Sequence, residues 1–170
     1  MTDRPPSKGR GRRSERHLLA HIDGGARGNP GPAGYGVSIE GRSPEDLYGY
    51  IGVATNNTAE YAALLALLEH VAPLQPDVLT VRSDSELLVK QMRGEYRVKD
   101  PKLQVLHAAA RRLVAGLACV VFEHVPREEN RAADALANLA MDRRESSGPL
   151  PAALRSLPPA SGPATGLPSL

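Results

Sequence analysis

The sequence has no tryptophan, a single phenylalanine and a single cysteine. Without large aromatics, its core has to be built from leucine, valine, isoleucine and alanine. One cysteine excludes an internal disulfide, and Cys119, within the apolar run LACVVF, is expected to be a small buried hydrophobe. No apolar run approaches the roughly 18 residues needed to cross a bilayer. The charged N-terminus lacks the apolar segment of a signal peptide. These absences lead to the expectation of a cytoplasmic protein with no membrane association.

What is present is ordinary for a globular domain: 41% hydrophobic and 24% charged residues. The net charge of +2 hides an asymmetry. In residues 1–16, six cations (Arg4, Lys8, Arg10, Arg12, Arg13 and Arg16) face two acids, a local balance of +4. The rest of the chain carries −2. Such an arm can add sequence-independent phosphate contacts, or can be a solvated tail. Its charge, Pro and Gly without periodicity read as disorder. From Ser146 onward come six Pro, three Gly and five Ser, with Arg155 the only charge. That stretch reads as a flexible tail, with a short partner-binding motif as the alternative. The expected organisation is a basic arm over 1–16, one folded domain over 17–144 and a tail over 145–170.

Within the domain the hydrophobic period changes in an orderly way. HLLAHID (17–23) reads as a strand ending in a carboxylate, followed by the turn-rich GGARGNPGPAG. Residues 35–39 and 47–53 read as two more strands joined by a loop at 41–44, which predicts an antiparallel meander. From Thr58 the pattern becomes helical: Tyr61, Leu64, Leu65 and Leu68 fall on one stripe, with Asn57 or Thr58 able to cap the start. A strand at 78–82, helices at 85–92 and 102–115, a strand at 119–124 and a helix at 130–141 complete the domain. The predicted fold is α/β: a five-stranded mixed sheet, three strands in an antiparallel meander and two parallel, flanked by helices.

Four acids fall at informative places on that map. Asp23 ends the first strand and Asp84 follows the fourth, so two parallel neighbours can present both at one crevice. Glu60 lies in the first turn of the long helix and Asp134 in the first half of the last one. Clustered carboxylates repel unless protonated or neutralised, and hard divalent cations with a preference for oxygen, chiefly Mg²⁺ or Mn²⁺, are natural neutralisers. Two such ions about 3.5–4 Å apart can activate a water and stabilise a leaving oxygen at a phosphodiester. Each acid also has a simpler reading, as a turn, a cap, a first-turn acid favoured by the helix dipole, or a solvated residue. Spacing alone does not bring the four together.

Four blocks do: HIDGGARGNPGPAGYGV, TNNTAEYAALLALLEH, VRSDSELLVKQMRGEY and HVPREENRAADALANLA. In order and spacing they resemble the type 1 ribonuclease H family over about residues 17–142, in a compact form without the inserted basic handle of some relatives. The resemblance implies a ribonuclease H-like fold and a four-carboxylate metal site at Asp23, Glu60, Asp84 and Asp134. The implied activity is cleavage of the RNA strand of an RNA–DNA hybrid, leaving 5′-phosphate and 3′-hydroxyl ends. His124 stands where many family members carry a histidine that aids proton transfer or product release; it can equally point along its strand.

Gly24 and Gly25 are expected to let backbone approach a minor groove closely enough to sense 2′-hydroxyls. Asn29, Thr55 and Asn56 resemble the family's polar contacts to the nucleic-acid backbone, and Asn57 is either a further contact or a helix cap. Arg82, Lys90, Arg93, Arg97, Lys99 and Lys102 mark a basic region where the family grips the DNA strand, or else a solvated charged face. Glu86 stands where the family usually has a neutral residue. A related nuclease acting on DNA junctions and a module that binds nucleic acid without cutting it are the alternatives. No obligate protein partner is evident, and a monomer is the default expectation.

Overall fold

A computed structural model describes residues 16–40 and 45–158. The expected N-terminal arm up to residue 15, the 41–44 loop and residues 159–170 lie outside them. Five strands form one sheet in the order β3-β2-β1-β4-β5: β1 (His17–Ala26), β2 (Gly31–Glu40), β3 (Glu45–Ala54), β4 (Val78–Ser83) and β5 (Val120–His124). The first three pair antiparallel, while β4 runs parallel to β1 and β5 parallel to β4. This is the mixed sheet expected from the sequence. Among the described residues four α-helices accompany it: α1 (Asn56–Val71), α2 (Glu86–Met92), α3 (Pro101–Ala115) and α4 (Arg131–Arg143). No helix among the described residues is long and apolar enough to cross a membrane.

The helices cover both faces of the sheet, and the strand period decides which residues meet which helix. Gly24 faces α1, because a Cβ there would lie 2.2 Å from the backbone carbonyl of Ala59. Ile22 and Ala20 share that face and join Val37, Leu79 and Val81 in the apolar core beneath α1. Gly36 faces the other way, and a Cβ there would lie 2.3 Å from Ala133 O on α4. Both glycines permit backbone-to-backbone approaches that no other residue allows.

Helix α1 departs from the expected single stripe. Besides Tyr61, Leu64, Leu65 and Leu68, it buries Ala62, Ala63, Leu67 and Val71. The cause is position: α1 packs against the sheet and against α3, so more than one side must be apolar. Its start also lies earlier than expected. Thr55, in extended conformation, is the N-cap, and its Oγ1 accepts from Thr58 N at 3.1 Å. Asn57 and Thr58 therefore lie inside the helix rather than capping it.

The stretch expected as a free tail from 145 onward is ordered against the domain as far as the structure describes it. Ser147 N donates to Tyr48 O at 2.8 Å, and Tyr48 N and Tyr50 N donate to the hydroxyls of Ser147 and Ser146. The outer edge of β3 is thus covered. A 3₁₀ turn at Ala152–Ser156 follows, with Ala152 N capped by Glu69. Leu150, Leu154 and Leu157 pack against the core. These spaced leucines supply the apolar burial that a Pro/Gly/Ser composition conceals. Cys119 is a second correction: it is exposed, because β5 is an edge strand that begins one residue later.

Candidate active site

The site grows out of two parallel strands, and the expected strand end at Asp23 is corrected: β1 runs on to Ala26, so Asp23 lies within it, paired with Gly36 of β2. Residue Ile22 on β1 pairs with Ser83, the last residue of β4, so Asp23, still in β1, and Asp84, just past β4, stand side by side. Glu60 arrives from the first turns of α1, which can descend onto β1 because residue 24 is glycine. Carboxylate oxygens of Asp23, Glu60 and Asp84 all lie within 4.8 Å of one another. Asp134, from the first turn of α4, lines the same cleft close to the Asp23 carboxyl. The four acids therefore converge on one cleft of about 560 Å³.

Electrostatics follow from that crowding. Burial, then the charge of Asp84 and the contact with Asp134, push the Asp23 carboxyl up to about 8. Burial, with Asp23 and Asp84 nearby, holds Glu60 well above the usual carboxylate range. Asp84 is also raised by burial, while Arg127 pulls it in the opposite direction. The buried Oε1 of Glu60 has no hydrogen-bond partner among the described residues. A buried carboxylate oxygen without a donor, inside an all-oxygen set, fits a hard divalent cation. Asp23, Glu60 and Asp84 form the cluster able to hold one, with Asp134 beside it.

His124 lies on the cleft wall and is exposed. It pairs in register with Ser83, which places it one residue from Asp84 across the β4–β5 ladder. Asn56 and Asn29 are bound to each other and to the turn after β1: Asn56 N donates to Asn29 Oδ1 at 2.9 Å, and Ala26 N donates to Asn56 Oδ1 at 2.8 Å. Asn56 thus lines the cleft, and Asn29 holds it there from the turn after β1. Gly24 and Gly25 both line it; a Cβ at Gly24 would meet the backbone of α1, whereas one at Gly25 would come only to 3.8 Å from Asn56 Oδ1. Thr55 caps α1. Asn57 is exposed and faces a neighbouring groove with Gln91, Tyr96, Arg97 and Lys99, not the acids.

The expected basic region divides in two. Arg82 pairs with Glu123, Lys90 with Glu86, and Arg93 donates to Phe122 O. Glu86 is thereby accounted for as an i,i+4 partner. Arg97, Lys99 and Lys102 form no ion pair among the described residues.

Four residues of the cleft region escaped the sequence reading. Arg27 and Arg127 line it, Asn138 hydrogen-bonds Asp134, and buried Asn130 donates to Ile22 O. Arg27 and Arg127 lie within the quoted blocks, and the asparagines stand four residues either side of Asp134. That spacing was the available signal.

Comparisons with known proteins place these observations. Residues 22–140 match a family described as reverse transcriptase-like. The chain is 45% identical over 126 residues to ribonuclease HI of Halobacterium salinarum, covering 72% of this chain and 63% of that one. It is 41% identical over 134 residues to bifunctional protein Rv2228c of Mycobacterium tuberculosis, covering 76% and 37% of the respective chains. The chain thus spans less than two thirds of the length of either relative. Among solved structures, LC11-RNase H1 in complex with an RNA/DNA hybrid superimposes with a TM-score of 0.70 at 42% identity, over 75% of this chain and 98% of that one.

Proposed function

Since the chain belongs to the type 1 ribonuclease H family, we propose that it is an endonuclease that hydrolyses the RNA strand of RNA–DNA hybrids, leaving 5′-phosphate and 3′-hydroxyl ends. The observation that carries this reading is the convergence of Asp23, Glu60, Asp84 and Asp134 on one cleft. Mg²⁺ is the proposed cofactor, with Mn²⁺ able to replace it, because every donor in the set is a carboxylate oxygen. Bound there, a pair of such ions supplies an activated water and neutralises the charge developing on the leaving oxygen.

The chain's own groups have separable tasks. Asp23 and Asp84, fixed on neighbouring strands, hold the ions, and Asp134 joins them from α4. Glu60 keeps a free oxygen facing the cleft and orders the region of the scissile 2′-hydroxyl. His124, exposed on the rim beside Asp84, takes up or delivers a proton as product leaves. Gly24, Gly25, Asn29, Thr55 and Asn56 form the edge along which the RNA strand lies. Asn57, with Arg97 and Lys99, receives the opposite strand in the adjoining groove. All four acids come from one chain, which supports a monomer as the acting unit; action in the cytoplasm belongs to the same proposal.

Cleavage of a labelled hybrid in Mg²⁺, with Asp23→Asn alongside, tests the reading. The variant is expected to lose activity by about three orders of magnitude or more, since removing a charged ligand strips several kcal/mol of transition-state stabilisation. Undiminished cleavage by Asp23→Asn removes the mechanism. Tight hybrid binding in EDTA with no turnover in either ion favours a module that holds nucleic acid without cutting it.

A further inference from the structure

Helix α4 is laced to β1 and to the turn that follows it, on both sides of Asp134. Four residues before it, Asn130 Nδ2 donates to Ile22 O at 2.8 Å. Four residues after it, Asn138 Nδ2 donates to Asp134 O at 3.1 Å and reaches Asp134 Oδ2 at 3.4 Å. Asn138 Oδ1 in turn accepts from Arg27 Nη2 at 3.2 Å, and the other arm of that guanidinium pairs with Asp142. Residues 134, 138 and 142 share one face of α4. Arg27 belongs to the turn four residues beyond Asp23. A continuous polar chain therefore runs from Asp142 through Arg27 and Asn138 to Asp134.

The four acids are not held equally. Asp23 is held in the β1–β2 ladder, Asp84 directly follows the last pair of the β1–β4 ladder, and Glu60 is placed by the seat of α1 on Gly24. Asp134 stands outside the group whose oxygens lie within 4.8 Å of one another. It rides on α4, a separate helix, rather than on the strands that carry Asp23 and lead to Asp84. We propose that Arg27 and Asn138 are positioning residues: they hold Asp134 against Asp23 and so complete the second of two cation sites, without touching substrate. This rests on the nuclease reading above.

The partners are mostly exposed, with Arg27 at 47% and Asp142 at 61%. Exposed ion pairs contribute little to folding, whereas residues that orient a metal ligand commonly change metal affinity by about 10–100-fold when removed. Stability and metal affinity should therefore separate.

Calorimetric titration of Mn²⁺ into the metal-stripped full chain tests this, with Asn138→Ala, Arg27→Met, Arg27→Lys and Arg143→Ala as a control on the same helix. The native chain is expected to show two classes of site. Asn138→Ala and Arg27→Met should weaken the lower-affinity class by about tenfold, leaving the tighter class and Tm in place, while Arg27→Lys recovers part of the loss. The Mn²⁺ concentration for half-maximal hybrid cleavage should rise by the same factor, with kcat restored at saturating ion. Isotherms of Asn138→Ala and Arg27→Met that match the native chain overturn the proposal, as does an equal weakening of both classes together with a fall in Tm. A native chain that takes up no Mn²⁺ sinks the nuclease reading as well.

Discussion

The two faces of the sheet are built on opposite plans. Beneath α1 the contact is made by large side chains: Ile22, Val37, Leu79 and Val81 from the strands against Leu64, Leu65 and Leu68, with α3 adding Leu106. Only the first turns of α1 come close, at Gly24. Beneath α4 the contact is small against small, Gly36 with Ala133 and Ala137, so helix and strand backbones nearly touch. Large side chains fill volume and can repack around a loss. Backbones in direct contact leave no such slack. One face thus supplies most of the apolar burial, while the other sets where Asp134 stands relative to Asp23.

The largest expected effect comes from breaking the close-packed face. In Gly36→Ala, the new Cβ would meet Ala133 O at 2.3 Å, Leu136 Cβ at 2.6 Å and Ala137 N at 2.7 Å. Helix backbone has to move to relieve this, carrying Asp134 with it. Overpacking of this kind costs about 1–3 kcal/mol or more, and a displacement near 1 Å at a catalytic group costs about 100-fold in rate. Thermal melts and hybrid-cleavage rates should show both losses together. Cleavage at the native rate would mean that this contact does not set the position of α4.

The opposite face should respond differently. Leu64→Ala removes a fully buried side chain and should destabilise by about 2–5 kcal/mol. Well below the melting temperature, kcat should stay within a few-fold of native, because α4 and the strand ends keep their places. If Leu64→Ala loses cleavage as heavily as Gly36→Ala, the division between a stabilising face and a positioning face fails.

That division was only half legible in the sequence. The strands and their order could be read because alternation and turn residues are local signals. Asp84 does follow its strand, but the strand expected to end at Asp23 runs on to Ala26, because residues 24–26 pair with β2. The convergence of all four acids came from the resemblance of whole blocks, not from spacing. The start of α1 was placed too late, since the Asn56 side chain is engaged by Ala26 and its N–H by Asn29, about 30 residues away. Nothing in TNNT reveals those partners, so Asn57 and Thr58 looked like caps. The segment at 146–158 failed for a related reason: composition reports the cost of ordering a chain, but not the β3 edge and apolar surface waiting for Leu150, Leu154 and Leu157. Asn138 and Arg27 are 111 residues apart. Their link exists only once the sheet is formed.

The smallest expected effect concerns the acids themselves, which draw on both faces. In the metal-free protein Asp23 is raised to about 8, chiefly by burial and then by Asp84 and Asp134, while in the unfolded chain it returns to its ordinary value near 3.8. Between those values the folded state holds a proton that the unfolded state has released. The resulting stability is therefore present in full below about pH 4 and lost progressively as pH rises towards 8. Glu60 and Asp84 are raised as well and act in the same direction. His21, lowered mainly by burial, acts in the opposite one. The cleft is open to water and the acids share protons, so a decline of only a few degrees in Tm between pH 5 and 8 is expected in EDTA. Asp23→Asn should flatten the slope while leaving the His21 contribution untouched. Mg²⁺ or Mn²⁺ should reverse it, because the ions bind the deprotonated acids and displace their protons. A Tm in EDTA that is flat or rising across this range, with Asp23→Asn following the same curve, would mean that the acids are too well solvated to oppose one another. Close packing at Gly24 and Gly36 would then bring the helices to the strands without bringing the charges into conflict.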